Sequence, residues 1–124
     1  MTVLIADDIA IFRNMLKDII VEFCDIQRHN VFEAIDGVHA MSEYKRLKPD
    51  IVFLDITMPK LDGISVIKQV MEIDPKARII MCTSSGEESV IKECVREGAL
   101  DYLVKPITPS RVVEAIKKVM REKR

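Results

Sequence analysis

Three acids, a hydroxyl and an amine stand just past short apolar runs that lie far apart in the chain. Asp7 and Asp8 follow Val3-Leu4-Ile5-Ala6, and Asp55 follows Ile51-Val52-Phe53-Leu54. Thr83 follows Ile79-Ile80-Met81-Cys82, and Lys105 follows Tyr102-Leu103-Val104. Together these groups suit a divalent cation and a phosphoryl group. Two carboxylates about 4 Å apart repel by roughly 4 kcal/mol at an effective dielectric near 20. Three in one place should therefore raise at least one pKa. A hard cation with oxygen ligands relieves the repulsion. Mg²⁺ fits best, because it takes one or two protein carboxylates, keeps waters and engages a phosphoryl oxygen. Lys105 offers that phosphoryl group a point charge, and Thr83 offers it a hydrogen bond. A carboxylate so flanked can attack phosphorus and form an acyl phosphate. Such transfer needs little beyond alignment and charge neutralisation.

The acids and the amine meet only if the apolar runs are neighbouring strands. Short apolar runs separated by helix-length segments read as buried parallel strands. In an open α/β sheet the carboxyl ends of the strands form one edge, where ligands bind. Strands are expected over Thr2–Ala6, Asn30–Ile35, Ile51–Leu54, Arg78–Cys82 and Leu100–Val104. The second is the weakest, with Glu33 inside it, which suits a sheet edge. Helices are expected over Ile9–Cys24, Gly37–Leu47, Ile64–Ile73, Gly86–Glu97 and from Thr108 onward. The first should turn Phe12, Met15, Leu16, Ile19, Ile20 and Phe23 inward. Val38, Met41 and Tyr44 should face the core from the second, and Val90, Ile91, Cys94 and Val95 from the fourth. Thr108 can cap the last helix, with Pro109 in its first turn and Val112, Val113, Ile116, Val119 and Met120 as its apolar stripe. Pro59 and Asp62-Gly63 mark a loop after Asp55. The fold class is thus α/β, a single-domain doubly wound (βα)5 unit with helices on both faces of a five-stranded parallel sheet.

Each site residue has an ordinary alternative. Asp8 can cap a helix, Asp55 and Thr83 can close turns, and Lys105 can be a surface lysine. Taken singly, those alternatives prevail. Taken together, they require all five to fall on one sheet edge by accident.

Composition narrows the field. At 124 residues and 48% hydrophobic, the chain can build the core of one domain. A net charge of -1 creates no field that draws nucleic acid. The first strand begins almost at Met1, leaving no room for a signal peptide, and no apolar run reaches membrane-spanning length. A soluble, cytoplasmic protein without membrane insertion is expected. Cys24, Cys82 and Cys94 lack metal-site spacing, and the last two read as small buried hydrophobes. His29 and His39 are isolated. The basic tail of Lys117, Lys118, Arg121, Lys123 and Arg124 reads as a solvated helix end.

In this order and spacing the motifs resemble the receiver domain of bacterial and archaeal response regulators, over essentially all of residues 1–124. The resemblance rests on Ala6-Asp7-Asp8, on Asp55-Ile56-Thr57-Met58-Pro59 running into Asp62-Gly63, on Thr83-Ser84, and on Tyr102 three residues before Lys105-Pro106. It implies a flavodoxin-like sheet of order 2-1-3-4-5. It implies Asp55 as phosphoacceptor, with Mg²⁺ held by Asp8, Asp55 and the Thr57 backbone carbonyl, and by Asp7 through water. Lys105 then pairs with the phosphoryl group, and a cis Lys105-Pro106 bond is expected. Thr83 and Tyr102 form the switch that reshapes the surface of the fourth helix, fifth strand and fifth helix. A sensor histidine kinase (CheA-like) is the expected donor, a motor or adaptor protein the output partner, and a phosphatase a further partner of a monomer. The domain would be a phosphoacceptor with self-phosphorylation and self-dephosphorylation rather than an enzyme. Ile9 departs from the polar residue common after the acid pair, while Thr57 and Ser85 sit where relatives vary and acyl-phosphate lifetime is set.

The runs Ala77-Arg78-Ile79-Ile80-Met81-Cys82 and Asp55–Pro59 resemble chemotaxis members of the family, so motor control is the first expectation. A receiver excised from a DNA-binding or enzymatic regulator is the alternative. A small Mg²⁺-dependent phosphatase would normally carry a second acid where Thr57 stands, and a cap for which there is no room. A flavodoxin-like cofactor carrier would need a glycine loop after the first strand, where Asp7 and Asp8 would repel phosphate.

Overall fold

The computed structural model describes residues 1–84 and 86–122. Its strands are the expected apolar runs: β1 (Val3–Ala6), β2 (Val31–Ala34), β3 (Ile51–Asp55), β4 (Ile79–Thr83) and β5 (Asp101–Val104). All neighbours pair in parallel, in the order β2-β1-β3-β4-β5. Helices α1 (Ala10–Phe23), α2 (Gly37–Leu47), α3 (Gly63–Ile73), α4 (Glu88–Glu97) and α5 (Pro109–Arg121) fill the crossovers. β1, β3 and β4 are buried on both faces while β2 and β5 at the edges are partly exposed, and the period-two alternation divides the inward side chains between two cores. Val3, Ile5, Phe53, Ile80 and Leu103 pack with Leu16, Ile20, Val112 and Val119 of α1 and α5. Leu4, Val52, Leu54 and Met81 pack with Met41, Ile67 and Cys94 from α2, α3 and α4.

Side-chain oxygens at three helix starts accept backbone N–H groups left over by the first turn. Asp36 accepts from His39, Asp62 from Ser65, and Thr108 from Arg111, with Pro109 inside the first turn as expected. Ile9 stands at the capping position before α1 with no side-chain cap, so Asp8 does not serve that ordinary purpose.

Several inward assignments fail at helix margins. Met15 and Phe23 on α1, Val38 on α2 and Val95 on α4 are 40–56% exposed. The sheet covers a narrower arc of each helix than the apolar stripe, so flanking apolar residues stay in solvent. Ala115 of α5 is buried instead, where a small residue lets the helix approach the sheet. Asn30 belongs to a 3-10 turn (Arg28–Asn30) before β2, and α4 starts at Glu88 rather than Gly86. Lys118 reaches the buried Asp101 at 3.7 Å, so that part of the basic tail is not simply solvated. Lys123, Arg124 and Ser85 lie outside the described residues. Among the described residues no helix is long and apolar enough to cross a membrane.

Candidate functional site

Register brings the acids together. Ala6 pairs with Leu54, so Asp7 leaves β1 level with Asp55 at the end of β3. Asp55 pairs with Cys82, and Thr83 with Val104, so Thr83 and Lys105 continue the same rim. One carboxylate oxygen from each of Asp7, Asp8 and Asp55 lies within 4.8 Å of the others. Asp7 and Asp55 are buried, whereas Asp8 is exposed and opens the group to solvent.

The amine closes the site. Lys105 Nζ donates to Asp7 Oδ2 at 2.9 Å and stands 4.0 Å from Asp55 Oδ2. It also sits over the Phe12 ring, 4.1 Å from the centroid, which favours an ammonium there. Its own backbone N–H donates to the Thr83 carbonyl at 2.7 Å, tying the β5 exit to the β4 exit. The Lys105-Pro106 bond is cis, as expected. Asp7 is fixed twice more. Its Oδ1 accepts from Ile9 N–H at 2.8 Å, and its carbonyl accepts from Arg13 at 2.7 Å. Arg13 is in turn held by Glu33, the polar residue that marked β2 as an edge.

Asp55 Oδ1 accepts from the Thr57 N–H at 3.3 Å, so the loop after β3 folds back on its own acid. Burial, and then the negative charge of Asp7, push the Asp55 carboxyl up to about 6. Lys105 and the Thr57 N–H pull the other way without cancelling the rise. The expected strain among the acids therefore falls on Asp55. The site fits Mg²⁺ on this ground: clustered hard oxygens, one accessible from solvent, carry an electrostatic load that a divalent cation would lift.

Thr83 is buried at the rim and Tyr102 points outward from β5 at 37% exposure. Tyr102 lies against Arg111 of α5, whose guanidinium is 5.9 Å from the ring centroid. Cys82 is fully buried behind the site, and desolvation pushes its thiol well up, as befits an inert core group. Sequence reasoning took Phe12 as core only and passed over Arg13. Its position one residue after Phe12, with Glu33 on the weakest strand, was the available signal.

The sequence matches the family model described as response regulator receiver domain over residues 3–117. It is 50% identical over 119 residues to a chemotaxis protein CheY of Thermotoga maritima, spanning 96% of this chain and 97% of that protein. It is 43% identical to a Bacillus subtilis chemotaxis protein CheY, spanning 95% and 96% of the two chains. The fold superposes with a TM-score of 0.88, at 35% identity and over 98% and 90% of the chains, on a Borrelia burgdorferi structure described as a CheX-CheY-BeF3-Mg²⁺ complex. The chain belongs to the response regulator receiver domain family. Within that family it is CheY-like, a signalling domain whose 2-1-3-4-5 sheet matches its neighbours.

Proposed function

We propose that this domain accepts a phosphoryl group on Asp55 from a phosphohistidine of a CheA-like sensor kinase and relays it as a conformational signal in chemotaxis. The reading is carried by one observation: three carboxylate oxygens within 4.8 Å of one another, with the Lys105 ammonium bonded to one and near a second. Mg²⁺ would be held by Asp8, Asp55 and the Thr57 backbone carbonyl, with Asp7 acting through water. When bound, it supplies positive charge to the acids and to the phosphoryl oxygens.

An oxygen of ionised Asp55 attacks phosphorus, the phosphorus–nitrogen bond to the imidazole breaks, and that nitrogen keeps the electron pair. With its carboxyl near 6, Asp55 is mostly ionised at neutral pH even before a cation binds. Lys105 steadies the charge on the incoming group and keeps Asp7 compensated meanwhile. The Thr83 hydroxyl then moves to bond a phosphoryl oxygen, and the Tyr102 ring follows inward. The α4-β5-α5 face changes shape, and a motor or adaptor protein reads it. Phosphorylation shifts the active population only as far as the new group interacts better with that state. A 100-fold shift needs about 2.7 kcal/mol, within reach of one or two charge-assisted hydrogen bonds. A phosphatase partner would end the signal sooner than self-dephosphorylation.

The test is incubation of the whole chain with Mg²⁺ and a small acyl phosphate, followed by intact mass. Wild type should gain one phosphoryl group and Asp55→Asn none. Equal gain by Asp55→Asn would remove Asp55 as the nucleophile.

A further inference from the structure

The loop from Ile56 to Asp62 leaves β3 directly after Asp55, carries Thr57, and is held on two sides. At its exit, Gly63 N–H donates to the Ile56 carbonyl at 2.8 Å. A Cβ on Gly63 would stand 2.4 Å from the Asp55 carbonyl oxygen, so α3 begins as close to the acid's backbone as a residue can. Across from it, the turn between β2 and α2 meets the middle of the loop. Gly37 N–H donates to the Pro59 carbonyl at 3.4 Å. Asp36, whose Oδ1 accepts from His39 N–H at 2.7 Å, places Oδ2 3.5 Å from the Lys60 ammonium. Lys60 adopts φ 71°, a left-handed conformation that a non-glycine residue keeps only where its surroundings enforce it.

Gly37 is the tight point of this contact. A Cβ there would lie 1.8 Å from the Leu61 carbonyl oxygen and 2.5 Å from the Leu61 Cβ. The nearer atom is backbone, so no side-chain rotation makes room, and the loop or the turn that carries Gly37 would have to move. The φ of Gly37 is not in the positive region, so the position demands space rather than backbone freedom.

We infer that Gly37, together with Asp36 beside it, positions the phosphoacceptor site, acting through Pro59–Leu61 on Thr57 and so on Asp55. The inference rests on the Mg²⁺ and phosphoryl reading above. Gly37 touches none of the three acids. Its influence passes along the chain to Thr57, whose N–H reaches Asp55 at 3.3 Å, a length at which a further small displacement breaks the bond. The same displacement moves the Thr57 carbonyl out of place for a cation.

The full chain carrying Gly37→Ala is compared with wild type and with Val119→Ala, which loses core packing on α5 far from the loop. Two quantities are read: the Thr57 amide shift and hydrogen exchange without metal, and Mg²⁺ affinity by titration. Gly37→Ala should move and deprotect the Thr57 amide and weaken Mg²⁺ binding about tenfold, the scale for groups that orient metal ligands. Val119→Ala should lose stability and leave both readouts unchanged. A wild-type Thr57 amide and Mg²⁺ affinity in Gly37→Ala would overturn the inference, as would the same changes in Val119→Ala. If wild type itself takes up no Mg²⁺ and no phosphoryl group, the functional reading falls and the inference with it. Should Gly37→Ala not fold, Asp36→Asn carries the test, since it keeps an oxygen for His39 and loses the charge facing Lys60. It should disturb the Thr57 amide and cost about twofold in Mg²⁺ affinity, the scale of one ion pair whose lysine is solvent-exposed. No change in either would overturn the inference.

Discussion

Strand β5 has a charge cluster at each end, and the two are built with opposite balance. At its start the Asp101 carboxylate, 4% exposed, meets the Arg111 guanidinium at 3.0 and 3.3 Å and Lys118 at 3.7 Å. Its oxygen also accepts from the next backbone N–H, that of Tyr102, at 2.8 Å. Just past the other end of β5, the Lys105 ammonium faces Asp7 and Asp55, with Asp8 alongside. One acid with two cations is a satisfied buried charge that docks α5 onto the sheet. Three acids around one ammonium are a standing excess of negative charge. Burial of Asp7 and Asp55 makes that excess costly, and a positive charge arriving from outside would relieve it.

Removing the cations should separate the clusters most widely. Lys105→Met leaves Asp7 and Asp55 buried without their ammonium and should cost about 3–5 kcal/mol at neutral pH. Arg111→Met leaves Asp101 with Lys118 and the Tyr102 N–H, so its cost should be about 1–2 kcal/mol. Urea unfolding of the two variants measures the gap. Equal losses would mean that the count of cations per buried acid does not distinguish the ends of β5.

Removing the acids should give opposite signs. Asp55→Asn removes a charge penalised first by burial and then by repulsion from Asp7, and should stabilise the metal-free protein by up to about 3 kcal/mol at pH 7. Asp101→Asn discards a satisfied charge and should destabilise by about 1–3 kcal/mol. Denaturation midpoints in the absence of divalent cations decide this. Destabilisation by both would place Asp55 among ordinary structural acids.

The acid excess should also appear as pH dependence. Asp55 titrates near 3.8 when unperturbed and at about 6 in the folded chain. Between those values the folded state binds the extra proton, so this group's stabilisation is full below about 3.8, is lost as pH rises toward about 6, and changes little above that. The difference between wild type and Asp55→Asn isolates its share from that of other acids. That difference should shrink as pH drops from 7 toward 4, and a constant difference would contradict the raised value. Saturating Mg²⁺ should flatten the dependence, and Asp8→Ala should raise the Mg²⁺ concentration required.

Much of this contrast was legible in the sequence, and the illegible part has a physical cause. The rim cluster could be read because each member directly follows an apolar strand run, so the strand period and parallel pairing fix where Asp7, Asp55 and Lys105 emerge. The order of the strands could not be read from periodicity, which says that a run is buried but not beside which neighbour. Asp101 and Arg111 passed unnoticed because an acid opening a strand and an arginine in a helix carry no local signal. Their meeting depends on how α5 lies against β5. Gly37 reads as a helix start, and only the approach of the Leu61 carbonyl shows why no larger residue fits. Met15, Phe23 and Val95 failed for a related reason: helical spacing marks an apolar stripe, while the sheet decides how much of it is covered.

The smallest effect probes whether the two clusters are independent. Arg111 spans both sides of Tyr102: it bonds the Tyr102 carbonyl at 2.7 Å and lies 5.9 Å from its ring. Arg111→Lys keeps the charge but loses the planar fork and most of the stacking. The loss should be about 0.5–1 kcal/mol, typical of a partly exposed cation–π contact. If Arg111 also holds the ring outward, the Tyr102 ring resonances should move toward those of the phosphorylated protein. Mg²⁺ affinity at the far end of β5 should stay at the wild-type value, because none of the acids there touches Arg111. A changed affinity would mean that ring position and cation binding are coupled without phosphate, and coupling is reciprocal. Mg²⁺ alone would then shift Tyr102, and the two ends of β5 would have to be treated as one charge system.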